Sequence, residues 1–302
     1  MSETSPKVSV LLITYNHARF VAEAIESILM QRVEFDFEVV VADDGSTDRT
    51  FEIIKEYAAR DSRLRLLPSE SNVGISRNYQ RGFAACRGDY VAIIEGDDYW
   101  ISPRKLQLTA NFLDRNPSCS FCFHRVIRYN SLPESATLFP PHWSVEQHLT
   151  GRELAENNFT AGFSTCVYRR QVVAAVKPEL WDLDIREWPF NVVMAESGSI
   201  GYVPQLLSIY RAHKSGIFSL LSNQEQFTEL CRLIEPYDKF LDYKFTGQFQ
   251  KMKAASARAL AAGPRRGLNL RTRMWTNYWR TRIWIAQRLP RRLKDNLKRF
   301  VG

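Results

Sequence analysis

GDYVAIIEGDDYW, residues 88–100, decides how the chain reads. Residues 90–94 form an unbroken apolar run, as a strand buried on both faces should. The run leads straight into Glu95, Asp97 and Asp98, three carboxylates within four residues. Like charges that close repel unless a cation sits among them. Hard divalent ions such as Mn2+ and Mg2+ take carboxylate oxygens and complete their shell with water and phosphate. The bland alternative is a solvated acidic turn, and the buried run behind the cluster weighs against it.

Outward from this stretch the pattern repeats. VSVLLITY (residues 8–15) and EVVVA (38–42) are two more buried runs, and residues 63–67 a shorter one. Residues 17–31, the stretch up to about Arg60, and residues 75–86 carry helical spacing between them. Ser46 or Thr47 is available to cap the second helix, and Ser102-Pro103 opens another. Strands separated by helices of this length imply a parallel sheet covered on both faces, with ligands beyond the strands' carboxyl ends. Tyr15-Asn16, Asp43-Asp44 and the 95–98 cluster all sit at such ends and converge on one crevice. Asp43 and Asp44 could accept from a base N–H or ribose hydroxyls, and Tyr15 could stack on a base. Neither G-x-G-x-x-G nor a P-loop is present, which excludes the dinucleotide fingerprint and the Walker-type phosphate loop.

Later residues are less regular. Residues 162–168 read as a strand, 185–196 as a helix and 200–211 as extended chain. From about Ser222 the chain reads as helical, broken near Pro236 and at Gly263-Pro264. The five cysteines are odd in number and scattered, as for free thiols in a reducing compartment. Cys119 and Cys122 form C-x-x-C within a strand, where positions three apart face opposite sides, so they are expected to share no metal or redox site. The N-terminus lacks a secretory pattern, and no run of about 18 uncharged apolar residues suggests a spanning helix.

The four stretches VSVLLITYN, VVVADDGSTDRT, SNVGISRNYQRGF and GDYVAIIEGDDYW, in this order, resemble glycosyltransferase family 2 enzymes of GT-A fold. The likeness covers roughly residues 7–125 and continues more weakly to about 216 through FSTCVYRR, REWPF and GSIGYVPQLLSIYRAH. It implies an inverting transferase that uses a nucleotide sugar, a UDP-sugar first, with Mn2+ or Mg2+. It places Tyr15, Asn16, Asp43 and Asp44 at the nucleoside, and Asn72, Gly74, Arg77 and Asn78 over the nucleotide and its phosphates. Glu95-Gly96-Asp97 stands where the family has D-x-D, with Glu as a variant first residue. Asp97 and Asp98 become the metal ligands. Tyr210-Arg211-Ala212-His213 resembles Y-R-x-H near metal and diphosphate, which adds Arg211 to the donor site and His213 to the ligands. In REWPF the family's catalytic acid is Glu187 rather than Asp, with Asp184 as the alternative base. A helix-start carboxylate stabilised by the dipole is the bland reading of Glu187.

The net charge of +8 is unevenly placed. From Pro264 onward twelve Arg and Lys face one acid, Asp295, a surplus of eleven that leaves −3 for everything before it. Trp275, Tyr278, Trp279 and Trp284 are interleaved with these cations. Such an amphipathic stretch suits an anionic membrane surface. It could also pack on the body or a partner subunit, with nucleic acid the weakest of the three readings. The sequence thus predicts a GT-A α/β domain over 1–219 and a helical, basic extension over 220–302. It further predicts a glycan or lipid-linked acceptor, a role in cell-surface polysaccharide synthesis, and a peripheral place at the inner face of the cytoplasmic membrane. The rival is a non-catalytic nucleotide-sugar-binding scaffold.

Overall fold

A computed structural model describes residues 5–68, 70–131, 134–140, 143–213, 216 and 221–261. Its first half alternates β1 (Val8–Thr14), α1 (Val21–Leu29), β2 (Phe37–Asp43), α2 (Thr50–Ala58), β3 (Leu64–Leu66), α3 (Ile75–Ala85) and β4 (Tyr90–Glu95). Then follow β5 (Tyr99–Trp100), α4 (Lys105–Arg115), β6 (Cys119–Ser131), β7 (Glu134–Phe139), β8 (Gln147–Leu149), α5 (Gly151–Glu156) and β9 (Cys166–Arg169). The last elements are α6 (Arg170–Ala174), α7 (Glu187–Met194), β10 (Ser199–Ala212), α8 (Asn223–Phe240) and α9 (Thr246–Ala261). The strands join in one sheet of order β3-β2-β1-β4-β9-β6-β10-β5, with β7 on β6 and β8 on β10. The β3-β2-β1-β4 half is parallel, and β9 pairs antiparallel with both β4 and β6. This is the α/β architecture of GT-A type that the sequence predicts.

The buried runs explain the layering. Every residue of β1 is buried, and alternate side chains enter opposite layers, as the pleat requires. Leu11 and Ile13, with Val40, Val91 and Ile93, meet Tyr79 and Phe83 of α3 and Phe190 of α7. Val10 and Leu12, with Val39, Val41 and Ile94, meet Val21 and Ile25 of α1 and Leu106 of α4. Each fully buried Leu or Ile contributes about 1.5–3 kcal/mol. Leu233, Ile234 and Tyr237 of α8 and Phe249 of α9 join the first of these cores. The chain divides into compact units Met1–Ala257 and Arg258–Gly302. The second falls almost wholly outside the described residues, as do the expected break at Gly263-Pro264 and the basic stretch 264–302. Among the described residues no helix is long and apolar enough to cross a membrane.

Local expectations differ from the structure in five places. The second helix starts at Thr50, not after Ser46 or Thr47, because the Asp48 carboxylate takes the Thr50 N–H at 2.9 Å. The fourth starts at Lys105, and Ser102 Oγ caps the turn before it by accepting the Arg104 N–H at 3.3 Å. Residues 163–165 form a 3-10 turn and only Cys166–Arg169 pairs as a strand. α8 runs through Pro236, losing one backbone donor rather than breaking. Cys119 and Cys122 enter the same core layer, because a β-bulge at Ser120 shifts the register between them. All five cysteines are free.

Candidate active site

The parallel register sets Thr14 beside Asp43 and Ile13 beside Glu95, so the β1, β2 and β4 ends lie level. The loops beyond them are tied together by their own polar groups. Asn16, at φ 55°, accepts the Thr47 N–H at 2.8 Å through Oδ1, and its own N–H meets Ser46 Oγ at 2.9 Å. Asp43 is buried and accepts from the Ser46 N–H and hydroxyl. Asp44 Oδ1 accepts the Val73 N–H at 2.8 Å, which pulls the 71–74 segment onto the β2 end. Gly45, at φ 69°, is required there, since a Cβ would stand 2.7 Å from Asn72 N. Asn72 Oδ1 accepts the Gly74 N–H at 3.0 Å. Asn78 is buried and donates to the Ala42 carbonyl at 2.9 Å. Arg77 points outward to Asp182 at 2.6 Å. Tyr15 is 43% exposed at the mouth of this region. Gly74, Arg77 and Asp184 line one open groove of about 470 Å³ together with Trp181 and Asp182.

The acidic turn is packed differently. Gly96 lets it approach β1, because a Cβ would lie 2.7 Å from Thr14 Oγ1 and 2.8 Å from His17 Nδ1. Asp97 Oδ2 is 3.0 Å from His213 Nε2 and 3.7 Å from His17 Nε2. Asp98 Oδ1 accepts the Arg211 N–H at 2.8 Å, whereas Oδ2 is buried with no partner among the described residues. Arg211 lies between the Phe20 and Tyr99 rings, donates to the Asp97 carbonyl at 2.9 Å, and pairs with Glu23 at 2.5 Å. The end of β10 thus brings Arg211 and His213 to the turn. Burial, then the charges of Asp97 and Asp98, push the Glu95 carboxyl well up. Burial, then Asp97, push Asp98 up to about 7. Burial also opposes ionisation of Asp97, but the His213 hydrogen bond and the nearby His17 outweigh it and hold Asp97 low. Among the described residues no three His, Cys, Asp or Glu side chains form a closed ligand set. An ion held here would complete its shell from phosphate and water.

Glu187 opens α7, where the helix dipole favours a carboxylate. Its Oε1 accepts from the Thr160 hydroxyl and from Asn191 Nδ2 at 3.0 Å, and its Oε2 from Asn158 Nδ2 at 3.4 Å. Burial raises its pKa, opposed by those donors. The Glu187 charge also raises Glu95, so the two carboxylates share one field. Asp184 is bound by Arg232 at 2.5 Å and Arg186 at 3.3 Å. Both of its oxygens are therefore engaged by guanidinium groups. His17, Asn158, Thr160, Ser164 and Lys105 all belong to this region and carry no motif by which the sequence could have announced them. Only His17, directly after the strand-end Tyr15-Asn16, had a positional signal.

The sequence model described as glycosyl transferase family 2 matches residues 9–176. An uncharacterized protein of Mycobacterium tuberculosis is 38% identical over 231 residues, covering 74% of this chain and 64% of its own. The match therefore spans less than two thirds of that relative. An uncharacterized glycosyltransferase of Bacillus subtilis, EpsJ, is 29% identical over 260 residues, 81% of this chain and 68% of its own. Among solved structures, S. aureus TarS in complex with UDP-GlcNAc aligns with a TM-score of 0.59 at 19% identity, covering 88% of this chain and 77% of that one. The mannosyltransferase PcManGT of Pyrobaculum calidifontis, in complex with GDP-Man and Mn2+, aligns with a TM-score of 0.53 at 17% identity, covering 99% and 85%. At such identities the structural likeness speaks to the fold.

Proposed function

The chain belongs to glycosyltransferase family 2, and from that premise we propose that it is an inverting transferase. It moves a sugar from a nucleotide sugar, a UDP-sugar first, to a hydroxyl of a glycan or lipid-linked acceptor. The observation that carries the reading is the half-buried Glu187 carboxylate at the start of α7, held by Thr160, Asn191 and Asn158, with its pKa raised by desolvation. A raised carboxylate beside a charged turn is the arrangement expected of a general base. The donors carried by the structural neighbours, UDP-GlcNAc and GDP-Man, support a nucleotide sugar of either kind.

In this reading the Tyr15 ring stacks on the base, and Asp44 with its neighbour Asp43 lines the nucleoside. Asn16 and Asn78 hold the loops that carry these groups, while Asn72, Gly74 and Arg77 stand over the phosphates. Glu187 takes the proton of the acceptor hydroxyl. The hydroxyl oxygen bonds to the anomeric carbon on the face opposite the leaving group, and the electron pair of the broken bond departs with the diphosphate. Arg211 keeps positive charge at the turn as negative charge builds there. The donor set suits a hard divalent ion, since Asp98 offers a buried, unpartnered oxygen and Asp97 an ionised one beside His213. Asp97, Asp98 and His213 are the residues that would hold Mn2+ or Mg2+, which would supply charge neutralisation at the diphosphate.

The basic stretch 264–302 extends the proposal to an anionic lipid surface at the inner face of the cytoplasmic membrane, where a lipid-linked acceptor in cell-surface polysaccharide synthesis would lie. Binding to vesicles with and without phosphatidylserine tests that part. For the transferase, purified chain, Mn2+ and UDP- or GDP-sugars are incubated with mixed glycan and lipid-linked acceptors. Release of nucleoside diphosphate that depends on acceptor and is lost in Glu187→Gln supports the reading. Tight nucleotide binding without any turnover would favour the scaffold instead.

A further inference from the structure

Lys105 is fully buried at the start of α4. Among the described residues no carboxylate forms an ion pair with it. Its amino group donates instead to the Ser164 carbonyl at 2.7 Å and lies 3.9 Å from the centre of the Trp100 ring. Burial without a paired carboxylate pushes its pKa well below the usual lysine range, so the contact it makes matters. Ser164 is the point where two strands of contact meet. Its hydroxyl accepts the Glu95 N–H at 3.0 Å and lies beside the Asp98 carboxylate, whose ionised form it favours.

Ser164 is one end of a short braced segment. At the other end Asn158 and Thr160 donate to the two oxygens of Glu187. Between them the chain is tied to itself. Asn158 Oδ1 accepts from the Thr160 N–H at 3.1 Å, and the Thr165 hydroxyl donates to the Thr160 carbonyl at 2.6 Å, with the Gly162 carbonyl 2.8 Å away. Ala161 sits at φ 72°, a left-handed conformation that a residue with a Cβ adopts only when its surroundings impose it. Residues 159–165 are all buried. The same eight residues therefore touch the proposed base at one end and the acidic turn at the other.

We propose that residues 158–165 are a rigid spacer that sets Glu187 against the acidic turn, with Lys105 as its anchor and Thr160 and Ser164 as positioning residues at its two ends. This rests on the transferase reading above. The left-handed turn at Ala161 is held by the hydrogen bonds around it, and the Lys105 amino group fixes the Ser164 end through the backbone carbonyl. Thr160 acts on chemistry through Glu187, and Ser164 acts on donor binding through the turn. Loosening Lys105 disturbs both at once.

The test measures kcat, acceptor KM, Mn2+-dependent UDP affinity by calorimetry, and melting temperature for four variants of the whole chain. Thr160→Val is expected to lower kcat and leave UDP affinity unchanged. Ser164→Ala is expected to weaken UDP affinity, with kcat at saturating donor changed less. Lys105→Met lowers both, by about 10–100-fold as for other lost supporting contacts, and Lys105→Arg restores most of each. The two hydroxyl deletions keep the proposal testable if Lys105→Met does not fold. A lower melting temperature with kcat and UDP affinity both unchanged in folded Thr160→Val and Ser164→Ala would reduce the segment to plain core and overturn the spacer. A wild-type chain that binds UDP but transfers no sugar would overturn the transferase reading, and the spacer with it.

Discussion

The loops beyond β1 and β2 and the acidic turn lie at the ends of neighbouring strands, yet they treat their polar groups in opposite ways. Asn16, Asp43, Asp44 and Asn78 are all engaged with backbone or hydroxyl partners inside the protein. At the turn Asp98 Oδ2, His17 Nδ1 and Thr14 Oγ1 are buried without a partner among the described residues, and Glu95 and Asp98 are raised by burial and by the Asp97 charge. The first region uses its hydrogen bonds to hold shape. The second retains electrostatic tension that a cation or a charged ligand would relieve, at a cost in free energy to the unliganded fold. Glu187 belongs with the second region, and Asp184, closed by two arginines, with the first.

That contrast can be broken by substitution. The largest effect is expected at Glu187→Gln, where loss of a general base lowers kcat by about 10²–10⁴-fold with nucleotide affinity kept. Asp184→Asn serves as the control, expected to leave kcat within a small factor. Next comes Asp97→Asn, which should reduce Mn2+-dependent UDP affinity by about tenfold or more in calorimetry. Asn16→Ala acts on the other side of the comparison. It removes the acceptor of the exposed Thr47 N–H and should cost about 0.5–1.5 kcal/mol in chemical denaturation. The smallest effect is a pH shift. The proposed base works only when ionised and its pKa is raised by burial, so kcat should fall as pH drops through a point above the usual glutamate value. Asn158→Ala removes one donor to the ionised form, which should move that acid limb slightly higher in a pH–rate profile.

The parallel half of the sheet was legible because its strands are continuous apolar runs spaced by helices, and the acidic turn because three carboxylates end one of those runs. The other half was less so. Tyr99–Trp100 is a two-residue strand whose pairing with β10 involves residues more than a hundred positions away, and no local period can reveal it. The Cys119 and Cys122 faces were misjudged because a bulge is set by the partner strand and not by the bulged sequence. Lys105 reads as a surface cation at a helix start, yet its partner lies 59 residues on at Ser164. Hydroxyls such as Thr160 and Ser164 carry no pattern at all until the fold places them.

The most direct measurement is calorimetric titration of the whole chain with UDP and with GDP, each with Mn2+ and with chelator, repeated on Asp97→Asn. The account predicts binding of one nucleoside diphosphate that requires the metal and is lost in the variant. Binding that is indifferent to metal and to Asp97, or no binding of either nucleotide, would contradict it.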